Sequence, residues 1–325
     1  MKKKVLALLM AGMMVAGMTA CSVDGEKKDA GSDEAKTEEN AGGDGEIGKV
    51  GFSISTLNNP FFVSMADGAE AKAKELGVEL SIVDAGNDTA KQTSDIEDLI
   101  ASGIKVLIVN PEDAASAGPV VNDAIAAGIK VIAVDRSVEG AEVDCFIGTD
   151  NVKAGEQAGK YFLEKVGEGA DVAILEGIPG ASSAIERHQG FLNAIEGKVN
   201  IVASQTANFD RTEGLTVTEN ILQANPNIKG ILSANDEMGL GALEAVESAG
   251  KVPGQDILVT GFDAGDDAIQ AVKDGKMLFT VEQQTTAMGE IAVETALKMM
   301  KGEEVDATIP IDVTLVDSSN VGDYE

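Results

Sequence analysis

Five places in the sequence bring amide, carboxylate, guanidinium and phenyl groups together: Asn58-Asn59-Pro60-Phe61-Phe62, Asp135-Arg136, Asn235-Asp236, Gly261-Phe262-Asp263 and Glu282-Gln283. Each follows a short apolar run, so each falls at the carboxyl end of a predicted strand, and open parallel sheets bind ligands beyond that end. The mixture suits an uncharged polyhydroxy molecule. A hydroxyl donates and accepts, a carboxylate accepts, a guanidinium donates, and an amide does both. Charged partners strengthen such bonds, while Phe rings cover C–H faces and exclude water. A phosphate ligand calls for cationic or glycine-rich surroundings, which this set lacks. Singly, the residues have plainer uses: Asp135, Asn235 or Asp236 can cap a helix, and Phe61 and Phe62 can fill a core. Their recurrence at five strand ends favours a binding site.

The elements that must carry these residues are legible. Lys49–Ser55 reads as a strand, and Pro60 after Asn59 suits a first helical turn. Phe62, Ala66, Ala69, Ala73 and Leu76 follow at helical spacing, with Gly77 as the stop. Val78–Val83 is the next strand. Asp88 or Thr89 caps a helix through Ile96, Leu99 and Ile100, which Gly103 ends. GIKVLIVN (Gly103–Asn110) and GIKVIAVD (Gly128–Asp135) echo each other as continuous apolar strands, the kind a parallel sheet covered by helices requires. Further strands are expected at Val172–Leu175, Val199–Ala203, Gly230–Ser233, Ile257–Thr260 and Met277–Val281, with helices between. The fold class is therefore α/β, doubly wound, with room for two lobes in 325 residues.

The chain carries a formal net charge of −30, which repels phosphate backbones and argues against a nucleic-acid partner. Lys2, Lys3 and Lys4 precede the short apolar run Val5–Gly17, the pattern of an export signal rather than a spanning helix. Met18-Thr19-Ala20-Cys21 resembles the lipobox of bacterial lipoproteins, with Met18 where Leu is usual. That implies removal of residues 1–20 and acylation of Cys21; a plain secreted protein cut near Ala20 is the alternative. Residues 22–46, almost free of large apolar side chains, read as a flexible acidic tether. Cys145 lies in an apolar stretch far from Cys21, so no disulfide is expected and Cys145 reads as a small buried hydrophobe.

From about Lys49 to the C-terminus the chain resembles the ribose-binding members of the periplasmic-binding-protein family (type 1) that serve bacterial ABC importers, a family also related to sugar-responsive repressors. The motifs are STLNNPFFVS at Ser55–Ser64, Asp135-Arg136, ERHQGF at Glu186–Phe191, SQTANFDR from Ser204, ANDEMGLGAL from Ala234 and VTGFD ending at Asp263. The resemblance implies two doubly wound parallel-sheet lobes joined by a three-strand hinge, with D-ribose held between them. It assigns Asn59, Phe61, Phe62, Asp135 and Arg136 to the sugar from one lobe, and Arg187, Phe209, Asn235, Phe262, Asp263 and Gln283 from the other. Crossovers fall near Thr149-Asp150, Gln283-Gln284 and Asp312-Val313, giving one lobe of 47–149 with 284–312 and another of 150–283 with 313–325. It further implies a monomer without cofactor or metal, anchored outside the cell membrane (periplasmic where an outer membrane exists) and serving a permease. His188 and Glu282–Met288 depart from the pattern, and allose, another pentose or a furanose-like signalling molecule remain as ligands.

Other functions are poorly served. The single histidine, His188, stands beside Arg187 on a predicted helix, with no G-x-S-x-G elbow and no Cys/His metal spacing. GDGEIGKV at Gly43–Val50 nearly spells a phosphate loop but lacks Ser or Thr after Lys49 and precedes a strand. A transcriptional regulator on this fold would begin with a helix-turn-helix, where this chain has an export signal and an acidic tether.

Overall fold

A computed structural model describes residues 48–324. The export signal, Cys21, the tether and most of the phosphate-loop-like segment lie outside the described residues. Two lobes, each a parallel sheet flanked by helices, make up the body.

The first sheet has six parallel strands: β1 (Val50–Ile54), β2 (Leu80–Asp84), β3 (Val106–Val109), β4 (Lys130–Val134), β5 (Cys145–Gly148) and β11 (Thr308–Pro310), in the order β11-β5-β4-β3-β1-β2. In the central strands β1, β3 and β4 the apolar runs are continuous because both faces are covered. Val106 and Ile108 pack under α1 (Pro60–Leu76) and α9 (Thr285–Met300), while Leu107 and Val109 pack under α2 (Thr89–Ala101) and α3 (Ala114–Ala126). Local sequence starts and stops these helices. The Asn59 Oδ1 accepts from the Phe61 N–H at 2.9 Å ahead of Pro60, and Gly77 closes α1 in the left-handed region. Asp88, rather than Thr89, caps α2. Cys145 is fully buried in this core, where burial pushes its thiol up to about 11.

The second sheet runs β7-β6-β8-β9, from β6 (Asp171–Glu176), β7 (Asn200–Thr206), β8 (Gly230–Ser233) and β9 (Leu258–Val259). Around it lie α4 (Asn151–Val166), α5 (Ser182–Ile195), α6 (Arg211–Ala224), α7 (Asp236–Ser248) and α8 (Asp266–Lys273). The apolar run at Met277–Val281 becomes β10 (Phe279–Glu282), which pairs antiparallel with β12 (Thr314–Asp317). Backbone bonds from Leu278 to Val259, Gly261 to Phe279 and Asp263 to Val281 continue the second sheet into this ribbon.

The chain passes between the lobes after β5, between β10 and α9, and between β11 and β12. Gln284, at the second passage, has φ 50°, and its Nε2 donates to the Asp312 carbonyl of the third at 3.1 Å. Away from the passages the lobes also touch directly. The Ala114 N–H donates to the Gly180 carbonyl (3.0 Å), and the Ser137 N–H donates to the Ser182 hydroxyl (2.9 Å).

Helices α1 and α9 meet through glycine. A Cβ on Gly289 would stand 2.0 Å from the Met65 carbonyl oxygen. Gly289→Ala is therefore expected to force the helices apart and lower the stability of the first lobe by about 1–3 kcal/mol, read as an earlier midpoint in urea unfolding.

Candidate functional site

Where the lobes meet, side chains from both line a small cavity of about 20 Å³. The first lobe contributes Asn59, Phe61 and Phe62 from the start of α1, and Asp135 and Arg136 from the end of β4. The second contributes Ser183 and Arg187 from α5, Phe209 before α6, Asn235 before α7, and Asp263 after β9. Two predicted residues stand back from it. Phe262 is fully buried, with the Arg187 guanidinium 3.9 Å above its ring, and Gln283 is tied to Arg187 and Asp263. A larger cavity of about 600 Å³ shares Asn59, Phe61 and Asp263 and is also lined by the acidic start of α8. The convergent residues surround the smaller one.

The backbone spends conformational energy to aim these groups. Asp135 (φ 63°), Phe209 (φ 57°) and Asp263 (φ 128°) all have positive φ, which costs on the order of 1–3 kcal/mol each. Phe209 needs an empty neighbour as well, because a Cβ on Gly177 would lie 2.0 Å from its ring.

Arg187 is fixed on every side. Its Nε donates to Asn151 Oδ1 (2.8 Å), one terminal nitrogen to the Ala234 carbonyl (2.9 Å), and the other to Gln283 Oε1 (2.9 Å). Gln283 Nε2 donates to Asp263 Oδ1 (2.7 Å), which itself lies 3.8 Å from the guanidinium. Across the cavity, Asn110 Nδ2 donates to Asp135 Oδ2 (3.1 Å) and its Oδ1 accepts from the Ser55 hydroxyl (2.7 Å). Arg136 lies over Phe62 (5.1 Å) of its own lobe and Phe209 (5.7 Å) of the other. Burial pushes Asp135 and Asp263 above the usual carboxylate range against the pull of the nearby guanidinium groups, and it draws Arg187 down. The two carboxylates and two guanidinium groups that line the cavity match in number and make it rich in donors and acceptors.

The plainer roles coexist with this one. Asn235 caps α7 through Met238 N–H (3.0 Å) and gives its Nδ2 to the Phe209 carbonyl (3.3 Å). Asn59 caps α1, and Phe61 and Phe62 belong to the first core. Asp135 precedes no helix; it turns the chain after β4. Asp236 ties the second half of the site together: its Oδ1 accepts from the Thr280 hydroxyl (2.6 Å) and its Oδ2 from the Gly265 N–H (2.8 Å), so it holds the loop bearing Asp263. Sequence reading missed Asn110, Asn151 and Ser183. Asn110 alone left a signal, being the polar residue that ends the strand GIKVLIVN.

His188 stands apart, with Nε2 3.3 Å from the Ser204 hydroxyl and 3.8 Å from Glu176. Ser204 gives its one hydroxyl proton to Glu176, and the imidazole lies outside the cavity between the lobes. Among the described residues no His/Cys/Asp/Glu group could hold a metal ion, and no helix is long and apolar enough to cross a membrane.

Residues 50–304 match the periplasmic binding protein domain. The chain is 44% identical over 309 residues to the ribose import binding protein of Bacillus subtilis, covering 95% of this chain and 97% of that one. A solute-binding protein of Actinobacillus succinogenes with bound D-allose superposes with a TM-score of 0.79 at 36% identity, covering 85% of this chain and 100% of its own. The Caulobacter myo-inositol-binding protein with bound myo-inositol does so with a TM-score of 0.81 at 35% identity, covering 86% and 96%.

Asp236 supplies a test of the buried charge. Burial pushes its carboxyl from 3.8 to about 6, so the folded protein takes up a proton there at a pH where the unfolded chain has released it. Stability from this group is therefore highest in acid and falls as pH rises through that window. Asp236→Asn cannot ionise and keeps only one of the two acceptor oxygens, so it loses the bond from either Thr280 or Gly265 at every pH and the comparison rests on the slope. Relative to wild type, its unfolding free energy should improve between about pH 4 and pH 7, followed by urea titration at each pH.

Proposed function

This chain belongs to the periplasmic binding protein family, and from that membership we propose that it captures D-ribose between its lobes outside the cell membrane and delivers it to the permease of an ABC importer. The observation that carries the reading is the convergence of Asn59, Phe61, Phe62, Asp135 and Arg136 with Arg187, Phe209, Asn235 and Asp263 on one cavity between two lobes. The 44% identity to a ribose import binding protein points to the same ligand.

Closure follows from the geometry. The cavity now has room for about one water, so a sugar ring enters as the lobes part and is enclosed as they return. Ligand favours closure only through contacts that the open form lacks. Asp135 with Arg136 on one side, and Arg187 with Asp263 on the other, supply such contacts to a single ring. The Ala114–Gly180 and Ser137–Ser182 bonds add a fixed increment that does not depend on which sugar is held. Micromolar binding needs about 8 kcal/mol, within reach of several charge-assisted bonds and two buried phenyl faces. The hinge is assigned to Thr149-Asp150, Gln283-Gln284 and Asp312-Val313, with the lobes at 47–149 plus 284–312 and 150–283 plus 313–325. Gln283 and Phe262 act beneath the site by holding Arg187 and Asp263. The protein works as a monomer and leaves its ligand chemically unchanged. Cys21 carries the lipid, and residues 22–46 tether the body near its permease; a single acyl chain holds a membrane only marginally, so multiple acylation is required.

A second reading keeps the transport role and exchanges the sugar, because solved relatives carry D-allose and myo-inositol. A thermal-shift panel separates the two. D-Ribose is expected to give the largest rise, since ligand at about a hundred times Kd adds about 2.7 kcal/mol. A larger rise with allose transfers the assignment, and no rise with any sugar removes it. Asp135→Asn should bind at least about a hundredfold more weakly with its fold intact, measured by calorimetry and circular dichroism. Cys21→Ala should move the protein from the membrane fraction to the soluble exported fraction.

A further inference from the structure

The loop between β3 and α3 places one more carboxylate beside the site. Glu112 is 5% exposed, and its Oε2 lies 3.6 Å from a terminal nitrogen of Arg136, too far for a hydrogen bond. That nitrogen donates instead to the Pro111 carbonyl at 3.1 Å. Among the described residues, neither Glu112 Oε2 nor Arg136 Nε has a hydrogen-bond partner, although both are buried. Glu112 cannot easily move away. Its N–H donates to Gln92 Oε1 (2.8 Å), and Gln92 Nε2 donates to the Asn110 carbonyl (2.9 Å), which pins the loop to α2.

Charge neutrality does not call for this group. Asp135 and Asp263 already balance Arg136 and Arg187, so Glu112 adds a third carboxylate against two guanidinium groups. Its position gives it a different use. It stands at one end of the guanidinium, with Asp135 Oδ2 3.7 Å from Nε at the other. We propose that Glu112 is a positioning residue whose charge keeps one end of Arg136 turned to the Pro111 carbonyl and so leaves Nε for a ligand hydroxyl. The inference rests on the sugar-binding reading above and assigns Glu112 no contact with the ligand.

The charged groups facing Glu112 are Arg136 from the end of β4 and Asp113 at the start of α3; Asp135 lies beyond the guanidinium, and α2 presents the neutral Gln92. Burial, with Asp113 assisting and Arg136 opposing, lifts the Glu112 carboxyl above the usual range. It therefore accepts a proton at a higher pH than an ordinary Glu, and its hold on Arg136 fades as the solution is acidified.

The test uses full-length protein and the sugar giving the largest thermal shift, titrated calorimetrically at about pH 7.5 and about pH 5. Glu112→Gln is expected to bind about tenfold more weakly than wild type at the higher pH, and the gap should narrow at the lower. Asp135 and Asp263 titrate in both proteins, so the difference between the two slopes belongs to Glu112. Glu112→Asp keeps a charge and is expected to keep the wild-type slope. Affinities within twofold at the higher pH would overturn the proposal, as would an equal weakening at both, which marks a purely structural role. Loss of the slope in Glu112→Asp would overturn it too. A wild-type control that binds no sugar defeats the functional reading itself and is recognised as such in that arm.

Discussion

Charge taken out of water has to be answered nearby. Between the two lobes, the answer is mutual: Asp135 and Asp263 face Arg136 and Arg187, all of them screened from solvent. The two pairs match in number, and Glu112 behind Arg136 adds a further buried carboxylate, so an anionic molecule would meet no spare positive charge in this low-dielectric pocket. Hydroxyl groups fit the remaining capacity, since each can accept from a guanidinium and donate to a carboxylate.

The same constraint organises the surroundings. Arg187 is desolvated only because Asn151, the Ala234 carbonyl and Gln283 occupy its donors and Phe262 lies beneath it. Those partners come from α4, the end of β8, the passage after β10 and the turn after β9, so one guanidinium fastens four parts of the second lobe. The left-handed turns at Asp135, Phe209 and Asp263 belong to this economy. They are strained locally, and the strain persists because the packed helices on both sides leave those loops no relaxed alternative.

Much of this was legible beforehand, for identifiable reasons. Strands buried on both faces wrote themselves as continuous apolar runs, as in β3 and β4. Caps such as Asn59 and Asp88 act within three residues of themselves, so local sequence suffices to find them. Polar residues at strand ends stood out against those runs. The strands β11 and β12 were not visible, because each is short and half exposed and takes its meaning from a partner far along the chain. That is also why β10 was read as one more parallel strand and not as half of an antiparallel ribbon. Asn151 and Ser183 carry no local mark, since Asn151 meets Arg187 thirty-six residues along the chain and Ser183 reaches the cavity only once the lobes come together. Phe262 was assigned to the sugar and lies fully buried under Arg187 instead, because a Phe beside a buried Arg looks the same in sequence either way.

The first sheet ends on β11, and its helix α9 packs Met288, Ala292, Val293 and Ala296 into the first core, yet both elements follow the whole of the second sheet in the chain. A polypeptide that emerges amino end first therefore cannot complete its leading half until its trailing residues arrive. The second lobe, nested inside, finds most of its partners sooner. The late-arriving helix and strand make the first lobe a domain of long-range contacts, slow to close and open to unfolded-chain handling for most of its synthesis.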